Sequence, residues 1–358
     1  MWDKVGPKNW RRPLLLRPDN FTPPERTPWG GKRIVGDLKS QLGLTHGDVV
    51  VGEAWELSVE PDFPSQLVDG PTLDEVLRSD PPALLGAESP LGSTALLVKL
   101  LDAADDLSVQ IHPEESDPML ADDESGKPEA WYIIDAEPGS GLYLGFLEGV
   151  SRDVVKNAID EEDDVSALMR FVPVSAGDVF VIEPGTPHAV GRGVMLLEPQ
   201  RVSPAKRGIT YRYWDWNRRY DAEGNRDSSG ALRTLHLDRA LDVTRWRGPR
   251  EGSLLEEIRH RAGPAAVDGN ADLELLISGQ GPLQSAVFRA NRLSGTGRAT
   301  LPTSDTLRSL TVLGGRVVIG DDETELEVRR GQTAALPTCL GPLPVTLDRA
   351  HAIICSLA

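Results

Sequence analysis

The sequence predicts a mainly β protein, two β-sandwich lobes carrying a small helical insertion. Glycine (35) and proline (28) are spread through all 358 residues, and between them lie many short runs of Val, Ile and Leu. That is the composition of short strands joined by tight turns. The third observation is that the same grammar recurs at Gly314 to Val318 and Gly331 to Pro337, after a composition shift near Arg245 to Ser253 and a loop from Gly263 to Asn270. Two lobes are therefore expected, residues 1–241 and 242–358.

The expected strands include Ala95 to Leu101, Ser108 to His112, Trp131 to Ile134, Val179 to Ile182, Val194 to Leu197 and Leu310 to Ile319. Helices are fewer. Thr72 with Glu75 forms a capping box before Val76 and Leu77, and Ser151 can cap a helix whose Val154, Val155, Ala158 and Ile159 share one face. Past the acidic run Glu161 to Asp164, helical spacing continues through Val165, Leu168 and Met169 to Arg170, so the insertion is expected over about 151–170.

Bulk properties exclude several function classes. Only two cysteines occur, Cys339 and Cys355, too few for a disulfide framework or a thiolate metal site. The N-terminal twenty residues scatter charge around a three-leucine run and lack the apolar core of a secretory signal, which predicts a cytoplasmic protein. No apolar stretch is long enough to span a bilayer. A net charge of -17 repels polyanions, so nucleic acid is not an expected partner. A small phosphorylated substrate would require a local cluster of Lys and Arg inside this acidic shell.

Three segments carry the candidate chemistry. In Ser108-Val109-Gln110-Ile111-His112 polar and apolar residues alternate, so a strand would point Ser108, Gln110 and His112 into one space. Gly126-Lys127-Pro128-Glu129 puts a carboxylate at the head of the apolar run Ala130 to Ile134. Gly177 to His188 reads as a strand, a Gly/Pro turn and a histidine before another strand. Gln110, His112, Glu129 and His188 together offer two imidazoles, a carboxylate and an amide oxygen, a set suited to zinc with an open position or a related divalent ion.

A Gly-x-x-His turn paired with an earlier strand histidine resembles the cupin arrangement, a jelly roll with a metal inside. More closely, the chain resembles the type I mannose-6-phosphate isomerase family in its short bacterial form. The matching strings are Trp29-Gly30-Gly31, Gly52 to Ser58, Leu97 to Pro113, Gly126 to Ala136, Ala176 to Glu198 and Tyr211 to Arg218, all in order. The final 120 or so residues match only in general β character. The resemblance implies two cupin-type jelly-roll lobes, the second degenerate and without metal. It makes Gln110, His112, Glu129 and His188 the ligands of one Zn2+ per chain. It also places Lys99, Ser108, Lys127 and Arg212 near a sugar phosphate or its reacting carbons. The implied reaction is mannose 6-phosphate to fructose 6-phosphate through an enediolate. In it the ion acts as Lewis acid, Arg212 stabilises negative charge, and Lys99 with Ser108 holds the phosphate. Lys127 and a metal-bound hydroxide both stand as candidate bases. The alternatives are a non-catalytic sugar-phosphate-binding cupin and another metal-cupin enzyme such as an iron dioxygenase.

The chain departs from the family pattern twice. Glu183 stands where the cupin turn carries proline, which either rebuilds the turn or adds a carboxylate near the metal. Ahead of Arg212, the segment Ser203 to Thr210 lacks the family's Ser-Asp pair, leaving Asp215 to substitute if an aspartate is needed there. His46, His236, His260 and His351 are expected to be structural or exposed. Trp214 and Trp216, beside Arg212, are candidates to line the cavity.

Overall fold

A computed structural model of the chain describes residues 10–44, 49–221, 226–279, 287–320 and 325–358. His46 and the first nine residues, on which part of the N-terminal reading rests, lie outside them. The architecture is mainly β, and its organising element is a six-stranded antiparallel sheet. Its order is Arg259–His260, Val179–Ile182, Glu129–Ala136, Val194–Arg201, Leu96–Asp102 and Glu53–Leu57. Facing it is a five-stranded sheet of Tyr211–Trp214, Val109–Ile111, His188–Val190, Gly141–Phe146 and Met169–Pro173.

Both faces of the six-stranded sheet are buried, which explains why its strands read as nearly unbroken apolar runs. Leu101, Trp131, Ile133, Phe180 and Leu196 point inward and pack against Leu142, Leu144 and Val190 of the facing sheet. The alternate residues Val98, Leu100, Ala130, Tyr132, Val181 and Leu197 point the other way, onto Phe288, Ala290, Ile353 and Cys355 of the second lobe. That lobe is one sheet of long strands, among them Phe288–Leu301, Arg308–Ile319 and Leu343–Leu357, with a core of its own around Leu293, Val312, Val317 and Leu347.

The lobes are also joined by polar contacts. Lys39 is fully buried, with Nζ 2.5 Å from Glu56 Oε1, while Thr333 of the second lobe donates to Glu56 Oε2 at 2.8 Å. Tyr132 Oη lies 3.0 Å from His351 Nε2. A boundary at residue 242 falls inside the helix Leu237–Val243, and Arg259–His260 still pairs with Val179 and Phe180. We propose that the chain crosses between lobes at 261–262, with the Leu14–Leu15 strand belonging to the second lobe's sheet through Ala334 and Ala335.

The capping box at Thr72 and Glu75 forms, and Ser151 caps the helix Arg152–Asp160. Helical structure does not reach Arg170, however. The backbone turns left-handed at Glu162 (φ 55°), one short turn follows over Val165–Leu168, and Met169–Pro173 is a strand. Asp164 caps that turn through the Ser166 N–H, and Met169 is drawn into the sheet opposite Phe146. The sheet partner outweighs the local helical spacing.

Removing one half of a buried ion pair strands the other charge, so Lys39→Met should cost roughly 3–5 kcal/mol in urea unfolding. Lys39→Met with Glu56→Leu should recover most of that loss. A single variant within error of wild type would show that Glu56 is relieved by water instead.

Candidate metal centre and cavity

Strand parity delivers the polar side chains to the interior. On Leu96–Asp102, Lys99 lies on the same face as Leu97 and Leu101 and points away from the second lobe. On Glu129–Ala136 the inward residues are Glu129, Trp131 and Ile133, and on Val194–Arg201 they are Leu196, Glu198 and Gln200. Register aligns them: Glu198 sits opposite Lys99, Gln200 opposite Glu129, and Trp55 opposite Lys99. From the facing sheet, Gln110 is paired with His188 on one side and Arg212 on the other. Residues directly opposite across a ladder point to the same side.

His112, Glu129 and His188 converge, with one ligand atom from each lying within 4.8 Å of the others. The Nε2 atoms of His112 and His188 stand 3.1 and 3.2 Å from the two oxygens of Glu129. Both Nε2 atoms and Glu129 Oε1 are buried without a hydrogen-bond partner. Buried polar atoms left unpaired at one point fit the coordination of a cation. The rings are aimed by their other nitrogens, since His112 Nδ1 lies 3.0 Å from the Ile209 carbonyl and His188 Nδ1 2.9 Å from that of Thr186. Such backbone partners fix ring orientation and tautomer in metal sites.

Charge states suit a cation. Burial, then the neighbouring Lys127 ammonium, pushes His112 down to about 3, leaving a neutral imidazole able to ligate. Burial works against the Glu129 carboxylate, but His112 and the Lys127 ammonium 3.6 Å away outweigh it and hold the group well below the usual range. Two imidazoles and one carboxylate fit a divalent metal, and the half-buried Gln110 lies opposite His188 in the ladder.

The cluster adjoins a cavity of about 190 Å³, whose wall includes Lys99, Ser108, Gln110, Lys127 and Arg212. The sequence-predicted residues outside the metal triad are thus gathered in one space. Lys99 Nζ rests 3.9 Å from the Trp55 ring centroid and 3.9 Å from Glu53 Oε2. The Arg212 backbone N–H donates to His236 Nδ1 at 3.1 Å and its Nη1 to the Thr234 carbonyl at 2.9 Å, while its buried Nε has no partner. Burial, then the nearby Arg233 cation, lowers Arg212 to about 10. Trp29 and Trp55 line the cavity; Trp214 and Trp216 do not. A bulge between Arg212 and Trp214 turns Trp214 onto the face of Val109, where it packs with Tyr213 and Phe146.

Sequence reasoning missed Arg233 and the pair Glu198 and Gln200. Gln200 Nε2 donates to Glu129 Oε2 at 3.0 Å and to Glu198 Oε2 at 2.6 Å, and Trp131 Nε1 donates to Glu198 Oε1 at 2.9 Å. Burial, and then the Glu129 charge, raises Glu198 to about 8. Of the two departures, Glu183 is buried but lies outside the three-residue cluster and pairs with Arg245 at 3.5 Å. Asp215 is bound by Arg218 and Tyr220 and stands 3.7 Å from Arg233; among the described residues it makes no hydrogen bond to Arg212.

Comparisons with known proteins place the chain in a family. The profile for the phosphomannose isomerase type I catalytic domain matches residues 25–134. A probable mannose-6-phosphate isomerase of Bacillus subtilis (strain 168) is 31% identical over 324 residues, covering 88% of this chain and 92% of the relative. This chain belongs to the type I phosphomannose isomerase family. A mannose-6-phosphate isomerase of Streptococcus mutans is 35% identical over 219 residues, 60% of this chain and 63% of its own. The crystal structure of the Bacillus subtilis mannose 6-phosphate isomerase superposes with TM-score 0.76 at 22% identity, over 96% of this chain and 99% of that one. A Salmonella typhimurium mannose 6-phosphate isomerase, bound to fructose 6-phosphate and zinc, superposes with TM-score 0.66 at 15% identity, over 96% and 98% of the chains. These last two likenesses extend the family's cupin fold across the second lobe.

His112→Ala and His188→Ala should each lose most bound metal by elemental analysis, and the second lobe should hold none. Full occupancy in both variants would overturn the ligand set. Glu198 gives a pH test on metal-free protein. Its carboxyl titrates at about 8 when folded and near 4.5 when unfolded, so between those values only the folded state holds the proton. Stability should then fall as pH rises from about 5 to about 8, and Glu198→Gln should flatten that slope in urea titrations. Parallel slopes for the two proteins would count against a raised Glu198.

Proposed function

We propose that the chain is a metal-dependent aldose–ketose isomerase interconverting mannose 6-phosphate and fructose 6-phosphate. One observation carries it: three unpartnered ligand atoms meet beside a cavity that concentrates Lys99, Lys127, Arg212 and Arg233 in a protein of net charge -17. The mannose-6-phosphate isomerases the chain resembles support the reaction, and the fructose 6-phosphate and zinc bound in the Salmonella typhimurium structure support substrate and ion. The mixed nitrogen and oxygen donors support zinc, one per chain, held by His112, Glu129, His188 and Gln110. Such an ion supplies Lewis-acid polarisation of the sugar's oxygens. No cationic cavity of this kind is called for by an iron dioxygenase, and the relatives carry isomerase names. No helix among the described residues is long and apolar enough to cross a membrane; a cytoplasmic location accords with a sugar-phosphate substrate.

Isomerisation removes the C2 proton of the aldose while its C1 oxygen gains one, and returns a proton to C1 as O2 loses its own. Lys99 and Ser108 bind the phosphate, with Lys99 held by the Trp55 face and Glu53. Arg212, on the cavity wall and oriented by Thr234 and His236, directs its guanidinium charge toward the enediolate oxygen. Lys127, 3.6 Å from Glu129, and Glu198, whose carboxyl is raised by burial to about 8, are the candidate proton carriers beside the ligand set.

Arg212→Ala should lower kcat by roughly 100- to 1000-fold, with a smaller change in KM and no loss of metal. Lys99→Ala should chiefly raise KM for mannose 6-phosphate and matter little for unphosphorylated mannose. A coupled assay on metal-loaded protein decides the reading, and absence of turnover with intact binding would indicate a sugar-phosphate sensor.

A further inference from the structure

We propose that Arg245 is a positioning residue that ties together the two loops carrying His112 and His188 and so sets the affinity of the metal centre. The proposal rests on the reading of His112, Glu129 and His188 as metal ligands. His112 is followed by Pro113 and Glu114, and Glu183 opens the turn that ends at His188. Arg245 reaches both. Its Nη2 donates to Glu114 Oε1 at 3.1 Å, and its Nη1 lies 3.5 Å from Glu183 Oε2. A third tie comes from its backbone N–H, which donates to the Gly185 carbonyl at 3.0 Å, while the Gly185 N–H donates to the His112 carbonyl at 2.9 Å.

The two ligand loops are thus bonded to each other at Gly185 and bracketed by one guanidinium. Gly185 adopts φ +80°, and a Cβ there would lie 2.8 Å from Arg245 Cγ and 2.9 Å from the Val243 carbonyl, so the turn and the 243–245 segment meet in full contact. Glu183 is only 4% exposed, and a carboxylate so buried needs a cation held close. A planar fork can serve two carboxylates on separate arms, whereas a lysine ammonium is a single point charge. The glutamate that departs from the cupin turn pattern thus takes part in a tie supplied from outside the barrel.

Loss of groups that orient metal ligands typically weakens binding by about 10- to 100-fold. Zinc affinity should be measured by competition with a chromophoric chelator, and the ligand field read from the visible absorption of the cobalt(II)-substituted protein. Arg245→Ala is expected to raise the zinc Kd by about 10- to 100-fold and to shift the cobalt bands. Arg245→Lys should recover only part of the affinity. Glu114→Gln and Glu183→Gln should each weaken binding less, and should add little on top of Arg245→Ala. A folded Arg245→Ala protein with wild-type Kd and cobalt spectrum would overturn the proposal. Should Arg245→Ala fail to fold, unchanged Kd in both glutamine variants would overturn it equally. A wild-type protein that binds no zinc would sink the metal reading as well, whereas wild-type binding with unaffected variants defeats the role of Arg245 alone.

Discussion

The rest of the molecule depends on a sheet buried on both faces that must nevertheless carry charge on one of them. Burying a carboxylate such as Glu129 is costly unless it is paired and hydrogen-bonded. Glu129 meets part of that requirement through Gln200 and Lys127, and turns its unpaired oxygen toward the two imidazoles, where a cation would complete it. Each partner comes from a different part of the chain: the strand alongside, the residue two before it, and the facing sheet. Folding the first lobe and assembling the ligand set are therefore one event. The charge can sit there only because both sheets are in register, and the register is enforced by apolar residues that alternate with the polar ones.

The parts legible in the sequence were those where alternation survived. Ser108, Gln110 and His112 stand out because Val109 and Ile111 separate them, and the Gly-x-x-His turn stands out because it interrupts an apolar run. Glu198 and Gln200 carry the same two-residue signal, but Leu196, Leu197 and Pro199 surround them with apolar character and the strand reads as plain core. Their function follows from which neighbours the register supplies, Lys99 and Glu129, and no single segment records that. Trp214 illustrates the converse. It shares parity with Arg212 in the sequence, and a one-residue bulge reverses its direction. Helical spacing through Met169 likewise gave way to a sheet partner at Phe146.

The acidic surface and the cationic cavity are complementary parts of one electrostatic arrangement. A net charge of -17 would weaken attraction of a phosphorylated sugar at long range, but screening limits that effect to about 8–10 Å at physiological salt. Inside the cavity the relevant charges are a few ångströms away and partly removed from water, so local cations dominate. Lys99 and Lys127 are each balanced by a carboxylate, Glu53 and Glu129. Asp215 attracts Arg212 through charge but makes no hydrogen bond to it among the described residues, being engaged by Arg218, Tyr220 and Arg233. The cavity thus presents an under-neutralised guanidinium where a substrate anion would complete the charge balance.

The second lobe follows from the same constraint. A sheet whose outer face exposes Val98, Leu100, Val181 and Leu197 would present a broad apolar surface, and such surfaces require a cover. Phe288, Ala290, Ile353 and Cys355 provide it, and the lobe's long strands carry the lid across several neighbouring strands at once. Among the described residues the candidate metal cluster lies wholly in the first lobe, so the second has no ligand geometry to preserve. What it must preserve is shape against Ala130 and Tyr132, which occupy the back of the strand whose front carries Glu129 and Trp131. Close packing on one side of a strand fixes side-chain direction on the other, because the two alternate along a single backbone. A lobe without donors of its own thereby helps hold the donors of its neighbour in place.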